Sequence, residues 1–201
     1  MNKNLIYLVA AGLLIWWLML PPTPPDFDDL PSAEPDQGQI ASVAMGISGS
    51  LSRSAWLASA LKYKDYPFKW GGPTCSDGCN DDPANGLDCS GLMYQAAKDL
   101  GVKIPRTATQ QHGASSPISE DVARATPGAL VFLRRQTDKL DSNGNLVAKA
   151  GSIVHVAMSV GDGRTVESWF NNKVVTPSWG WWHKKYSTYP SYYGLLNGSV
   201  K

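Results

Sequence analysis

At Pro127-Gly128 the hydrophobic period of this chain changes, and that change does most to limit its fold. Before it, apolar residues recur at helical spacing; after it they come in short runs and alternations. Residues 50–64 read as a helix with Leu51, Ala55, Leu57, Ala58 and Leu61 on one face, Ser50 or Ser52 as its cap and Pro67 beyond its end. From Asp88 to about Leu100 a second helix turns Leu92, Met93, Ala96, Ala97 and Leu100 inward, and Gly101 closes it. Residues 107–113 read as a further helical turn. Beyond the change, residues 129–133 form a buried strand and Asn143-Gly144 marks a hairpin within 139–147. Residues 153–160 are the next strand, Asp162-Gly163 turns the chain into its partner at 165–170, and 174–176 add a short strand. Helices first and antiparallel strands after predict an α+β domain.

Three segments follow along the 201 residues. Leu5 to Leu20 is uncharged and apolar, ends at Pro21-Pro22 and carries Trp16-Trp17 near its end. At about 1.5 Å per residue its roughly 16 residues reach about 24 Å, a tight fit to a bilayer core of about 30 Å. It is either a membrane anchor or a signal-peptide core. Prolines occupy the place of a small-residue cleavage site, which favours a single transmembrane anchor over residues 1–20. Lys3 precedes it and Asp26, Asp28, Asp29, Glu34 and Asp36 follow, which keeps the lysine side cytoplasmic and the rest outside. Residues 21–49 are rich in Pro, Asp, Gln, Ser and Gly and read as a tether. Residues 50–201 are the folded domain. A net charge of +1 gives no ground for a nucleic-acid partner.

The chemistry centres on Asp88-Cys89-Ser90-Gly91, where a loop rich in Gly, Asn and Asp runs into a helix. A free thiol is only about a few per cent thiolate at neutral pH. The positive end of a helix favours the thiolate and offers N–H groups to an oxyanion. His155 stands on the strand 153–160, where it can serve as base and then protonate a leaving amine. Alternation puts His155, Ala157 and Ser159 on one strand face. The turn at Asp162-Gly163 returns Glu167 with the same parity, which makes it the carboxylate chosen to orient the imidazole; Ser159 and Ser168 are weaker choices. Trp169, Trp179, Trp181 and Trp182 suit core and sheet surface better than a ligand groove, and His112 and His183 have no evident partner.

Five blocks in order resemble the NlpC/P60 cysteine peptidases: Pro67-Phe68-Lys69-Trp70-Gly71-Gly72, Asp88-Cys89-Ser90-Gly91-Leu92-Met93, the run from Ile104 to Gln111 with Arg106, the run from Pro127 to Phe132, and the run from His155 to Gly163. The resemblance implies a papain-like α+β fold with N-terminal helices packed on an antiparallel sheet. It implies hydrolysis of peptidoglycan stem peptides at the bond from γ-linked D-glutamate to the diamino acid. Cys89 matches the nucleophile, His155 the general base and Glu167 the third polar residue, while Asp88, Ser90, Trp70 and Arg106 match positions that meet substrate. Peptidoglycan and a membrane are then the partners, and no metal or organic cofactor is needed. An N-acetylmuramoyl-L-alanine amidase and a weakly active wall-binding module stay open as rival readings.

Two departures stand out. Phe68 occupies the place of the family's usual tyrosine, and Tyr66 is the nearest replacement hydroxyl. The loop from Pro73 to Leu87 is longer than usual and carries Cys75 and Cys79, a disulfide pair in an oxidising compartment. Their spacing lacks the further ligands that zinc requires, and Asp77, Asp81, Asp82 and Asn85 read as a solvated turn rather than a calcium loop. The form Gly161-Asp162-Gly163-Arg164-Thr165-Val166-Glu167 resembles bacteriophage members of the family. That suggests an endolysin-like or wall-penetrating enzyme on the periplasmic side of a host or virion membrane, with a bacterial wall-remodelling enzyme as the alternative.

Overall fold

The computed structural model describes residues 51–73, 82–169 and 173–200. The anchor, the tether and the Cys75–Cys79 pair lie outside them. No helix among the described residues is long and apolar enough to cross a membrane.

The α+β expectation holds in its architecture. The chain runs β1 (Leu51–Ser52), α1 (Arg53–Lys62), α2 (Cys89–Lys98), α3 (Ala108–Gly113), β2 (Ser115–Pro117), α4 (Glu120–Ala125) and β3 (Leu130–Arg134). It continues through β4 (Lys139–Leu140), β5 (Leu146–Ala148), β6 (Ile153–Ser159), β7 (Thr165–Ser168), β8 (Val174–Val175), α5 (Trp179–Lys185), β9 (Ser191–Leu196) and β10 (Ser199–Val200). Six strands form one antiparallel sheet in the order β2-β9-β3-β6-β7-β8. β1 pairs with β10 in parallel, and β4 and β5 make the hairpin read at Asn143-Gly144. In that hairpin Asp141 accepts the N–H groups of Asn143 and Asn145, so its carboxylate closes a turn.

α1 differs from its sequence reading. Ser52 caps it, Leu51 belongs to β1, and Ala58 is exposed. The buried face is Trp56, Leu57, Ala60 and Tyr63, which follow the spacing of one helix stripe. Trp56 decides this face, because its large ring is fully buried and its Nε1 donates to the Met93 carbonyl of α2 at 2.9 Å. α2 packs Leu92, Met93, Ala96 and Ala97 inward as read, but it ends at Lys98 and leaves Leu100 exposed. Leu130, Phe132, Val156, Met158 and Val166 meet these helices from the sheet and complete the core.

Three elements have no counterpart in the sequence analysis: α4 before the sheet, and α5 and β9 near the C-terminus. A carboxylate holds them together. Glu120 accepts from Trp179 Nε1 at 3.0 Å, His183 Nε2 at 2.7 Å and Tyr193 Oη at 3.0 Å. His183 thus has a partner, contrary to the sequence reading. The late tryptophans are core as read: Trp169, Trp179 and Trp182 are buried. Replacing Glu120 with alanine unties three elements at a half-exposed site. We expect a loss of about 1 kcal/mol, seen as a fall in Tm of about 2–4 °C in thermal melts, with nucleophile reactivity unchanged.

Candidate active site

Cys89 opens α2, half-buried. Asp88 is the cap, with extended backbone and Oδ1 accepting the Gly91 N–H at 2.6 Å. That bond sets the first turn, and the N–H groups of Cys89 and Ser90 precede the helix ladder, where they can meet an anion. A second contact fixes the turn in space. Gly72 O accepts the Asp88 N–H at 3.1 Å and an Arg106 guanidinium N–H at 2.7 Å. Arg106 also pairs with both Asp88 oxygens at 3.0 and 2.9 Å and donates to Ser90 Oγ at 3.0 Å. Gly71 N–H donates to Asp88 Oδ2 at 3.0 Å.

This network ties together three of the residues expected at the substrate site. Asp88, Ser90 and Arg106 point at one another, and the Asp88 carboxylate already accepts from Gly71, Gly91, Ser90 and Arg106. These bonds hold the nucleophile's helix against the Trp70-Gly71-Gly72 turn. Trp70 is the most exposed member of the set, at 41% relative exposure.

His155 comes from β6. The β6–β7 register pairs Met158 with Val166 and Ser159 with Thr165, so Glu167 sits opposite Ala157 and diagonal to His155. Diagonal neighbours of a pleated pair are within reach of long side chains. Glu167 Oε2 accepts from His155 Nε2 in a short contact, and both residues are buried. With Nε2 committed to Glu167, Nδ1 remains for the hydrogen bond to Cys89. Burial alone would lower the imidazole pKa, but the bonds to Cys89 and Glu167 outweigh it and hold the ring above its ordinary value. The arrangement favours an imidazolium that faces the Cys89 sulfur and is backed by a carboxylate. Ser168 turns away from the imidazole and donates to Leu87 O at 2.6 Å, tying β7 to the loop before the nucleophile.

Tyr186, the C-cap of α5, escaped the sequence reading. It is buried, its ring centroid lies 5.6 Å from that of His155, and its hydroxyl donates to Glu167 Oε2 at 3.3 Å. Burial, then the Glu167 carboxylate, push its phenol well above the ordinary value, so it remains a neutral donor. No spacing rule links it to Glu167; the only signal was its place in an aromatic-rich run. Tyr66 packs edge-on against Tyr63 at 5.2 Å and is partly buried against the core. Phe68 pairs through its backbone with Leu87. His112 lies edge-on to Phe132 at 5.1 Å. Among the described residues no group of three His, Cys, Asp or Glu side chains is placed to hold a metal ion.

Comparison with known proteins gives the same fold. The model of the NlpC/P60 family matches residues 65–189, well over half the chain. The bifunctional muramidase/DL-endopeptidase CwlT of Bacillus subtilis is 39% identical over 112 residues, which cover 56% of this chain and 28% of that protein. The murein DD-endopeptidase MepH of Escherichia coli is 33% identical over 103 residues, covering 51% of this chain and 31% of its own length. The chain therefore spans less than a third of either curated relative. A solved NlpC/P60 family protein from Bacillus cereus superposes with a TM-score of 0.54 at 20% identity, covering 74% of this chain and 41% of that one, which speaks to the fold alone.

Proposed function

Since the chain belongs to the NlpC/P60 family, we propose that it is a cysteine endopeptidase of peptidoglycan stem peptides. Cys89 is the nucleophile, His155 the general acid–base and Glu167 the orienting carboxylate. The observation that carries this reading is the convergence of three elements on one point: a thiol at the start of α2, an imidazole on β6 that bonds it, and a carboxylate on β7 behind the imidazole.

The chemistry follows from that placement. The Cys89 thiolate attacks the amide carbon and forms a C–S bond, and the carbonyl oxygen takes the negative charge. First-turn N–H groups of α2 lie where they can stabilise that charge. As the tetrahedral intermediate collapses, the C–N bond breaks and the His155 imidazolium gives its proton to the leaving amine. Neutral His155 then takes a proton from water, whose oxygen displaces Cys89 from the thioester and releases the acid. Glu167 keeps the ring turned so that Nδ1 faces sulfur throughout.

The bond between γ-linked D-glutamate and the diamino acid is the preferred target, supported by the DL-endopeptidase named in CwlT, the more similar of the two relatives described. Residues 1–20 would anchor the protein in a host or virion membrane. Residues 21–49 would tether the catalytic domain, which takes up residues 50–201, on the wall side. The charge asymmetry around the apolar run supports that orientation. A bacteriophage role in wall penetration or lysis fits this layout.

The test is digestion of purified sacculi by the domain without its first 49 residues, with mass spectrometry of the released fragments. New amino-terminal diamino acid ends are expected. Free lactyl groups with intact stems would replace this reading with the amidase. Binding to sacculi without any release would replace it with a wall-binding module.

A further inference from the structure

Two donors converge on one oxygen of Glu167. His155 Nε2 and the Tyr186 hydroxyl both point at Oε2, while Oε1 is buried and has no hydrogen-bond partner among the described residues. A terminal carboxylate turns on a broad, roughly two-fold torsion, so with His155 as sole donor its two oxygens would be nearly interchangeable. A second donor fixed in place removes that freedom. Tyr186 is fixed: it is 2% exposed, and Trp182 and Trp181 meet its ring edge-on at 5.0 and 6.3 Å. Its tilted ring also covers the imidazole at 5.6 Å and keeps water from it.

We infer that Tyr186 is a positioning residue for the His155 base, acting through its hydrogen bond to Glu167. This rests on the hydrolase reading above for its consequence on turnover, but not for its consequence on the thiol. The titratable groups facing His155 are Cys89 from α2, Glu167 from β7 and Tyr186 from the end of α5. From β3 the cross-strand neighbour is the apolar Leu133. The tyrosine O–H presents its positive end to the same oxygen that the imidazolium uses. Its removal has two effects of different kind. The carboxylate loses its orientation, which slows proton transfer. The imidazolium gains sole use of Oε2, which lets it keep its proton to higher pH.

The experiment reads both effects on the domain lacking its first 49 residues. Alkylation of Cys89 by iodoacetamide, followed by the mass of its peptide, reports the thiolate–imidazolium pair across neutral and alkaline pH without any substrate. Turnover of a soluble muropeptide reports the reaction. In Tyr186→Phe the aromatic packing stays. The alkaline inflection of alkylation should rise by about half a pH unit, and kcat should fall about three- to tenfold with KM within about twofold. In a Glu167→Gln background the same change should add no further shift in the inflection, because the two residues act as one unit.

An alkylation profile identical to that of the parent, or an equal shift in both backgrounds, would overturn the inference. A shifted profile in a domain that cleaves no muropeptide would leave it standing and sink the hydrolase reading instead. Cleavage by the parent with no shift in Tyr186→Phe would do the reverse.

Discussion

Cys89→Ala and His155→Ala should each leave sacculus cleavage about ten-thousand-fold or more below the parent domain, because residues that act as a unit fail as a unit. Removing the thiol leaves no atom to form the thioester. Removing the imidazole leaves the leaving amine without a proton donor. Glu167→Gln should behave differently, since it keeps the shape of the side chain and removes only its charge. A fall of about a hundredfold in kcat is expected, together with a displaced pH profile. The sign of that displacement follows from the geometry. Burial works against a charged His155, and the bonds to Cys89 and Glu167 reverse the balance and raise its pKa. The ion pair therefore persists above the ordinary imidazole range and is lost as pH rises through the raised value. Without the carboxylate one raising influence is gone and burial remains, so the alkaline limb moves to lower pH. An alkaline limb that stayed in place in Glu167→Gln would remove Glu167 from its assigned role. The thiol then offers a check on folding: a Glu167→Gln protein that melts like the parent and still alkylates at Cys89 has lost orientation, not structure.

The parts of this site that were legible in sequence are those set by local rules. A cap residue before a helix placed Cys89 in the first turn, and strand parity with one tight turn placed Glu167 on the imidazole face. The register shows why the second inference worked. Glu167 is not directly opposite His155 but diagonal to it, and only a long carboxylate side chain spans that offset. What stayed illegible is what the tertiary fold brings together. Tyr186 reaches Glu167 only because α5 folds back over the sheet, and Glu120 gathers Trp179, His183 and Tyr193 from 59 to 73 residues away. The face of α1 was misread for a related reason. Ala55 and Ala58 carry little apolar surface, so Trp56 outweighs them and rotates the helix. The family resemblance assigns Asp88 and Arg106 to substrate contact and carries no sign of the bonds between them. The structure uses their charges on each other.

That pairing leads to the most severe expected substitution, Gly91→Ala. In α2 an alanine is ordinarily favoured over glycine by about 0.5–1 kcal/mol. Here a Cβ on residue 91 would lie 1.9 Å from Gly72 O, 2.9 Å from Asp88 Oδ1 and 3.0 Å from an Arg106 guanidinium nitrogen. The first of these atoms is backbone and cannot swing aside. It is also the acceptor for both Asp88 N–H and Arg106, so moving it breaks the bonds that seat the nucleophile's helix. We expect a loss above about 3 kcal/mol, the range of severe overpacking combined with a broken buried network. The outcome is a domain that melts far below the parent or one whose Cys89 no longer alkylates as an ion pair. Gly180→Ala is the internal comparison. It lies in α5, nothing stands within 4 Å of its Cβ, and it should gain about 0.5–1 kcal/mol from helix propensity alone. If both variants melt like the parent, the close approach of α2 to the Gly71-Gly72 turn is not a constraint on the fold. If only Gly91→Ala fails, the absence of a side chain at residue 91 is what lets the Trp70-Gly71-Gly72 turn lie against the helix that presents Cys89. The spacing of the two sequence blocks then has a steric cause as well as a chemical one.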